Sequence, residues 1–83
     1  MKCFVYKSPK QSDMYMYLCK KNEFRKIPEI LLEKFGDPEF ILEFELNKNR
    51  KLAFADAKQV LAKLQEQGYY LQLPPHNKLS FQG

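Results

Sequence analysis

The sequence predicts one α/β domain with the element order β-β-α-β-α-β, in which a single four-stranded sheet has helices above and below it. Three observations carry this prediction: two opening segments of β-formers that are apolar on both alternating sides, two amphipathic helical segments, and turn residues at the boundaries. Strands that are apolar on both sides belong in a sheet covered on both faces. With 83 residues, 45% of them apolar, the chain can build one modest core.

The first two strands are predicted over residues 2–7 and 13–20, joined by the polar, proline-bearing turn at 8–12. In the first strand Cys3 and Val5 alternate with an equally apolar pair, and the second strand repeats this two-sided pattern. The two segments therefore predict a hairpin in the interior of the sheet.

The two helices are predicted over residues 28–35 and 55–67. The first has a proline at its first position, and Gly36 suits a left-handed stop. The second has apolar residues at helical spacing and ends at Gly68. Phe54, which precedes the second helix, has no side-chain acceptor for the free amides of the first turn. The sequence therefore leaves the start of this helix open.

The third and fourth strands are predicted over residues 39–46 and 69–73, and two prolines prevent the fourth from continuing. The third strand has one wetter face, which predicts an edge or near-edge position. Residues 1–75 are expected to form the single domain, and 76–83 a loosely held tail, of which the closing Phe-Gln-Gly could be a remnant of expression. Two sets of side chains alternate in the third strand: Phe40, Leu42, Phe44 and Leu46 against Ile41, Glu43 and Glu45.

Five short motifs follow one another along the chain. They are MKCFVY at residues 1–6, YMY at 15–17, IPE at 27–29, FGDP at 35–38 and GYYLQLPP at 68–75. In order and spacing the chain resembles the YcgL-domain family of small bacterial proteins over about residues 1–75. The resemblance implies a three-layer α/β/α sandwich and no established biochemical activity.

The sequence has no visible catalytic or metal-binding machinery. The single histidine, His76, falls in the tail, and the two cysteines are not at Cys-x-x-Cys spacing. The glutamate pairs would need an enclosed pocket to perform acid–base chemistry, and are expected to be solvated. We therefore expect no enzyme activity, no cofactor and no metal.

Cys3 and Cys19 lie in opposite strands of the predicted hairpin, and could be bonded if the register sets them opposite one another. Disulfides are rare in a reducing cytoplasm, so two thiols are expected. No apolar run is long enough to cross a bilayer, and the start of the chain lacks a full signal-peptide segment. These features predict a cytoplasmic protein.

The strand tyrosines have two interpretations. They could pack in the core and at its rim, as strands favour for packing reasons alone, or they could form an aromatic surface that anchors a partner. We expect the domain to bind another protein through a strand edge or an aromatic patch. The predicted partner-binding residues are Lys7, Tyr15, Tyr17, Tyr69, Tyr70 and Gln72.

Two basic clusters suggest RNA or single-stranded nucleic acid as the alternative ligand. The net charge is +4, but ten acidic residues are scattered among the fourteen basic ones, so an ordinary solvated surface also explains the clusters. No RNP-type signature, GXXG loop or helix-turn-helix pattern is present. The predicted phosphate-binding residues are Lys20, Lys21, Arg25, Lys26, Lys48, Arg50 and Lys51.

Overall fold

The computed structural model describes residues 1–52 and 55–73, and the predictions for Phe54, for the two prolines and for the tail from residue 76 onward lie outside these ranges. The described residues form one four-stranded antiparallel sheet with the strand order β3-β1-β2-β4, together with two helices. The predicted α/β class and element order are confirmed. The elements are β1 (Lys2–Lys7), β2 (Tyr15–Leu18), α1 (Glu29–Phe35), β3 (Glu39–Glu45), α2 (Ala57–Gln67) and β4 (Tyr69–Gln72).

The first hairpin occupies the centre of the sheet, as its two-sided apolar pattern predicted. Four consecutive residues of β1, Cys3 to Tyr6, are all buried. The hairpin pairs Phe4 with Leu18 and Lys7 with Tyr15. Because successive side chains of a strand point to opposite faces, burial of consecutive residues requires cover on both sides of the sheet.

A separate group of buried side chains lies on each face of the sheet. We call the face that carries Cys3 and Val5 the α2 face, because α2 contributes buried residues to its cluster, and the opposite one the α1 face. The α2-face cluster contains Cys3, Val5, Tyr17, Leu46, Ala57, Val60 and Leu64. The α1-face cluster contains Phe4, Tyr6, Met14, Met16, Leu18, Ile27 and Phe35.

A buried serine ties the turn after β1 to the end of α1. The Ser8 hydroxyl donates to the Phe35 carbonyl oxygen at 2.6 Å and accepts from the amides of Lys10 and Gln11 at 3.1 and 3.0 Å. Such a hydroxyl satisfies three main-chain groups that would otherwise be left without partners. It therefore fixes the short helix α1 relative to the hairpin.

Helix α2 begins two residues later than predicted. Its N-cap is Asp56, whose carboxylate accepts from the Lys58 amide at 3.0 Å, and the helix starts at Ala57. An aspartate in this position supplies the acceptor that the first turn needs. None of the helices within residues 1–52 and 55–73 is long and apolar enough to cross a membrane.

Gly68 ends α2 in the left-handed conformation, with φ of 89° and its amide donating to the Leu64 carbonyl at 3.0 Å. A Cβ added there would lie 3.0 Å from Cδ of Lys26. We expect Gly68→Ala to lower the free energy of unfolding by about 1 kcal/mol, because a side chain disfavours positive φ. Urea denaturation would measure it. Gly68→Asn should lower the free energy of unfolding by less, since asparagine tolerates this conformation. Equal stability of Gly68→Ala and the parent would contradict the prediction.

Strand β3 lies at the edge of the sheet, as predicted, but its alternation is interrupted. Val5 pairs with Leu42 whereas Tyr6 pairs with Phe40, so Ile41 is an extra residue in a β-bulge. The prediction that Phe40 and Leu42 share one side of the strand is therefore wrong. Phe40 contacts Tyr6 on the α1 face, with ring centroids 5.6 Å apart.

Candidate functional site

A cleft of about 370 Å³ opens on the α2 face, between β3 and the segment that follows it. This volume lies within the range of ligand-binding clefts. Its floor comes from the central strands and β4, one wall from β3, and the other wall from residues 50–52. The lining residues are Val5, Tyr15, Tyr17, Ile41, Leu42, Phe44, Arg50, Lys51, Leu52 and Gln72.

Beside the cleft, the edge strand exposes three consecutive large apolar side chains. Phe40, Ile41 and Leu42 are 44%, 42% and 45% exposed. Ile41 and Leu42 also line the cleft, while Phe40 projects on the α1 face. Exposed apolar side chains on adjacent positions of an edge strand are typical of a contact surface.

The same edge offers main-chain hydrogen-bonding groups. The Leu46 amide donates to the Met1 carbonyl at 2.7 Å, and the amino terminus donates to the Leu46 carbonyl at 3.1 Å. Residues of an antiparallel pair alternate between bonding the neighbour and facing away from it. The main-chain groups of Glu43 and Glu45 therefore face away from β1, toward the open side of β3.

A buried hydrogen bond forms part of the cleft floor. The Tyr17 hydroxyl donates to Oε1 of Gln72 at 2.7 Å, and both side chains are buried. Burial raises the pKa of Tyr17 to about 12, so the phenol is a neutral donor at physiological pH. The Tyr17 ring also meets Tyr70 edge-on, at 5.9 Å between centroids. These contacts join β2 to β4. Of the other predicted partner-binding residues, Lys7 is exposed, and Tyr15, Tyr69 and Tyr70 are half-buried.

The structure brings most of the predicted partner-binding residues to one face. The register pairs Tyr15 with both Lys7 and Gln72, and Tyr17 with Tyr70. Tyr69 packs against the α1-face cluster instead, so no single flat surface contains Tyr69 and Tyr70.

The predicted partner-binding residues do not include the apolar side chains of β3. A signal for them was present, since a run of three apolar residues interrupts a strand that otherwise carries glutamates and was predicted near an edge. The residues predicted from the sequence are mostly aromatic or basic instead. The apolar residues missed are Phe40, Ile41, Leu42 and Phe44.

The two predicted basic clusters contact opposite faces of β3. Nζ of Lys21 lies 4.5 Å from the centre of the Phe40 ring, on the α1 face, whereas the Arg50 guanidinium lies 4.4 Å from that of Phe44, on the α2 face. Arg25 pairs with Glu23 at 2.9 Å. These contacts do not join the clusters into one continuous basic surface.

Carboxylates on β3 are held by basic groups of the same chain. Glu43 pairs with Lys2 at 3.2 Å, and Glu45 with the amino terminus at 2.6 Å. The hydrogen bond and charge of the amino terminus lower the pKa of the exposed Glu45 carboxyl. Glu43 lies opposite Phe4 in the register, and Lys2 shares the α1 face with Phe4 because the two are alternate residues of β1. Glu45 lies opposite Lys2, so both pairs lie away from the cleft.

A second cleft, of about 440 Å³, lies at the end of α1. Its one lysine, Lys10, donates through Nζ to the Glu33 carbonyl at 2.9 Å. Within residues 1–52 and 55–73 no group of three or more histidine, cysteine, aspartate or glutamate side chains could hold a metal ion. This second cleft is lined by Lys10, Phe24, Leu32, Glu33, Gly36, Asp37 and Pro38.

Both cysteines are free thiols. Continuing the hairpin register one residue past β2 places Cys19 across from Cys3, and both belong to the packing of the α2 face. Burial raises the pKa of the Cys3 thiol to about 12, and the charge of Cys19 contributes in the same direction. Cys19 is half-buried, with Sγ 3.8 Å from the Gly68 carbonyl oxygen.

We therefore expect the two thiols to react at different rates with a disulfide reagent such as DTNB. Thiolate is the reactive form, so Cys3 should react at least tenfold more slowly than Cys19 at pH 8. The Cys19→Ser variant should show only the slow phase, and Cys3→Ala only the fast one. Equal rates in the folded protein would contradict this prediction, whereas equal rates in denaturant are expected.

These features define a class: a small α/β domain with an antiparallel sheet, whose exposed edge strand borders an apolar cleft. The family model of the YcgL domain matches residues 3–75. The chain is 50% identical over 78 residues to a YcgL domain-containing protein of Thioalkalivibrio sulfidiphilus, covering 94% of this chain and 96% of that protein. The chain belongs to the YcgL-domain family, which confirms the resemblance read from its motifs.

Other relatives are similar over nearly the same span. A YcgL domain-containing protein of Shewanella woodyi is 48% identical over 75 residues, which cover 90% of this chain and 81% of that protein. One of Yersinia enterocolitica is 45% identical over 75 residues, or 90% of this chain and 83% of that protein. The residues matched by the family model, 3–75, extend from the second residue of β1 through β4.

Proposed function

We propose that this domain is a non-enzymatic binding module that recognises a protein partner through the exposed edge of β3 and the adjoining cleft. One observation carries the proposal: Phe40, Ile41 and Leu42 are each more than two-fifths exposed on a strand whose outer side has no neighbour among the described residues. A cytoplasmic location belongs to the same proposal, as the setting expected for such a module.

Covering these side chains would be favourable. Full burial of a large apolar side chain contributes about 1.5–3 kcal/mol, and an added strand would also satisfy the outward main-chain groups of Glu43 and Glu45. The bulge at Ile41 and the glutamates are features that discourage uncontrolled edge pairing. They favour a specific partner strand over self-association, because antiparallel pairing of two β3 strands would bring glutamates together.

Nucleic-acid binding has weaker support. Strand β3 contains three glutamates and no lysine or arginine, and the basic clusters contact its opposite faces. Phosphate backbones are bound by several cations along one surface, whereas the basic side chains that contact β3 lie on its two opposite faces. The sheet edge therefore suits a protein partner better than RNA.

We also infer that the two helices cover opposite faces, as in a three-layer α/β/α sandwich. Support comes from Val60 and Leu64 of α2 in one buried cluster and Phe35 of α1 in the other. In this arrangement the helices leave the β3 edge open, and the contact surface is the part of the sheet that they do not cover.

A capture experiment with a matched control tests the proposed function. The tagged full chain is incubated with native bacterial lysate at low salt, beside Leu42→Lys and the control Ile30→Lys, which alters an exposed apolar residue on α1. Leu42→Lys should retain at least tenfold less of a specific protein, because the charge must be desolvated at the contact. Ile30→Lys should retain as much of that protein as the parent does.

Capture that is the same for both variants, or no specific protein at all, would contradict the proposal. A parallel measurement uses fluorescein-labelled oligouridine at low salt. Binding that weakens steeply as salt rises would favour nucleic acid instead, because such a slope reports neutralised phosphates.

A further inference from the structure

We propose that the cleft on the α2 face binds an extended acidic segment of the partner, in which a large apolar side chain is followed by a carboxylate. The apolar side chain lies against Val5 and Leu42, and the carboxylate meets Arg50 and Lys51. This inference rests on the proposed function and narrows it to one class of partner sequence.

The charge of the cleft has a single sign. Among the described residues, Arg50 and Lys51 are the only charged ones that line the cleft, both are exposed, and no carboxylate lines it. Within residues 1–52 and 55–73, neither cation has a carboxylate within 4.0 Å, whereas other basic groups do. An uncompensated pair of cations beside an apolar wall complements an anionic, apolar ligand.

Acidic residues of β3 do not cancel this charge. Glu43 is paired with Lys2 on the α1 face, and Glu45 with the amino terminus. Glu39 lies opposite Lys7 in the register, at the other end of β3 from Arg50 and the turn that carries it. None of the three β3 carboxylates is therefore placed to neutralise Arg50 or Lys51.

Arg50 is held beside the apolar wall of the cleft. Its guanidinium carbon lies over the half-buried Phe44 ring, 4.4 Å from the ring centre. This cation–π contact uses no N–H group as a hydrogen-bond donor to a protein oxygen, and a guanidinium can donate two parallel bonds to a carboxylate. Lysine lacks this planar fork, so Arg50 and Lys51 are not equivalent.

The apolar part of the cleft binds the remaining, apolar part of the partner segment. Ile41, Leu42 and Leu52 form its walls, and the half-buried Tyr15 lies on the floor. The main-chain groups that face outward from Glu43 can pair with an extended backbone. The apolar anchor, the extended backbone and the carboxylate of the ligand can therefore belong to one continuous peptide segment.

The test uses the full, ¹⁵N-labelled chain and two blocked peptides, acetyl-Val-Phe-Val-Asp-Asp-amide and acetyl-Val-Phe-Val-Lys-Lys-amide. Titration followed by amide chemical shifts should show the acidic peptide shifting the signals of Tyr15, Leu42 and Arg50. Its affinity should exceed that of the lysine peptide by about tenfold, which corresponds to two exposed ion pairs gained and two repulsions avoided.

Charge variants sharpen the result. The double variant Arg50→Glu with Lys51→Glu should reverse the preference, while Arg50→Lys, which keeps the charge, should bind the acidic peptide roughly threefold more weakly than the parent. The matched control Lys48→Glu, in the same turn but outside the cleft lining, should keep the preference for the acidic peptide.

Equal affinity for both peptides, shifts confined to other surfaces, or no shift at millimolar peptide would overturn the inference. Displacement of the acidic peptide by oligouridine at equal charge would also overturn it, since the cleft would then select phosphate. If the peptides fail while capture still depends on Leu42, only the peptide class is wrong. If capture does not depend on Leu42, the proposed function itself fails.

Discussion

Replacing Phe35 with alanine should lower the free energy of unfolding by about 3–5 kcal/mol, the usual cost of removing a buried phenylalanine ring. Phe35 is the last residue of α1, is 0% exposed and is the buried residue of that helix. The main-chain acceptor for Ser8 would remain, so the loss reports packing on the α1 face. A domain of this size has a stability of roughly 4–12 kcal/mol, so the loss would be a large fraction of it.

Urea denaturation followed by circular dichroism measures this effect, with Ile30→Ala as the control. Ile30 lies in the same helix and is 61% exposed, so its truncation should change stability by at most about 0.5 kcal/mol. Should Phe35→Ala fail to fold, Phe35→Leu can be measured instead. It keeps an apolar side chain in the buried site and should lower the free energy of unfolding by about 1 kcal/mol. A Phe35→Ala protein as stable as the Ile30→Ala control would show that α1 does not anchor this face.

On the opposite face of the sheet, Leu64→Ala should lower the free energy of unfolding by about 2–5 kcal/mol. Leu64 is 2% exposed on α2 and belongs to the cluster that includes Cys3, Val5 and Tyr17. Truncation leaves a cavity between helix and sheet, and alanine does not weaken the helix itself. The loss therefore measures how firmly α2 is attached to the α2 face.

The control for this variant is Gln65→Ala, at the next, exposed position of the same helix. Its free energy of unfolding should lie within about 0.5 kcal/mol of that of the parent. A loss below about 1 kcal/mol for Leu64→Ala would mean that α2 packs loosely on the sheet. Large losses from both Phe35→Ala and Leu64→Ala would support the inferred three layers, since each variant opens a cavity on a different face.

Much of the fold could be predicted because the relevant signals are local. Apolar residues on both alternating sides of the hairpin placed it in the interior of the sheet, and Glu43 with Glu45 predicted an edge for β3. The helix stops at Gly36 and Gly68 followed from residues that tolerate positive φ, and both have it. Asp56 could also have been chosen as the N-cap, because an aspartate precedes the helical periodicity.

The candidate site was harder to predict. Alternation alone separates Tyr69 from Tyr70, since neighbouring strand residues face opposite ways. Nothing local indicates the bulge at Ile41, which arises from pairing with Val5 and Tyr6, more than thirty positions away in the chain. The bulge decides that Leu42 faces the cleft while Phe40 does not.

The sequence by itself determined the family through the resemblance of its motifs. It also determined the order of the elements and the burial of the central hairpin, because periodicity and turn chemistry act over a few neighbouring residues. Only the tertiary structure decided which surface stays open. The cleft exists because the register of β3 against β1 and the path of residues 50–52 place apolar and cationic side chains from distant segments side by side. Such proximity depends on strand pairing and packing across the whole chain, which no local pattern specifies.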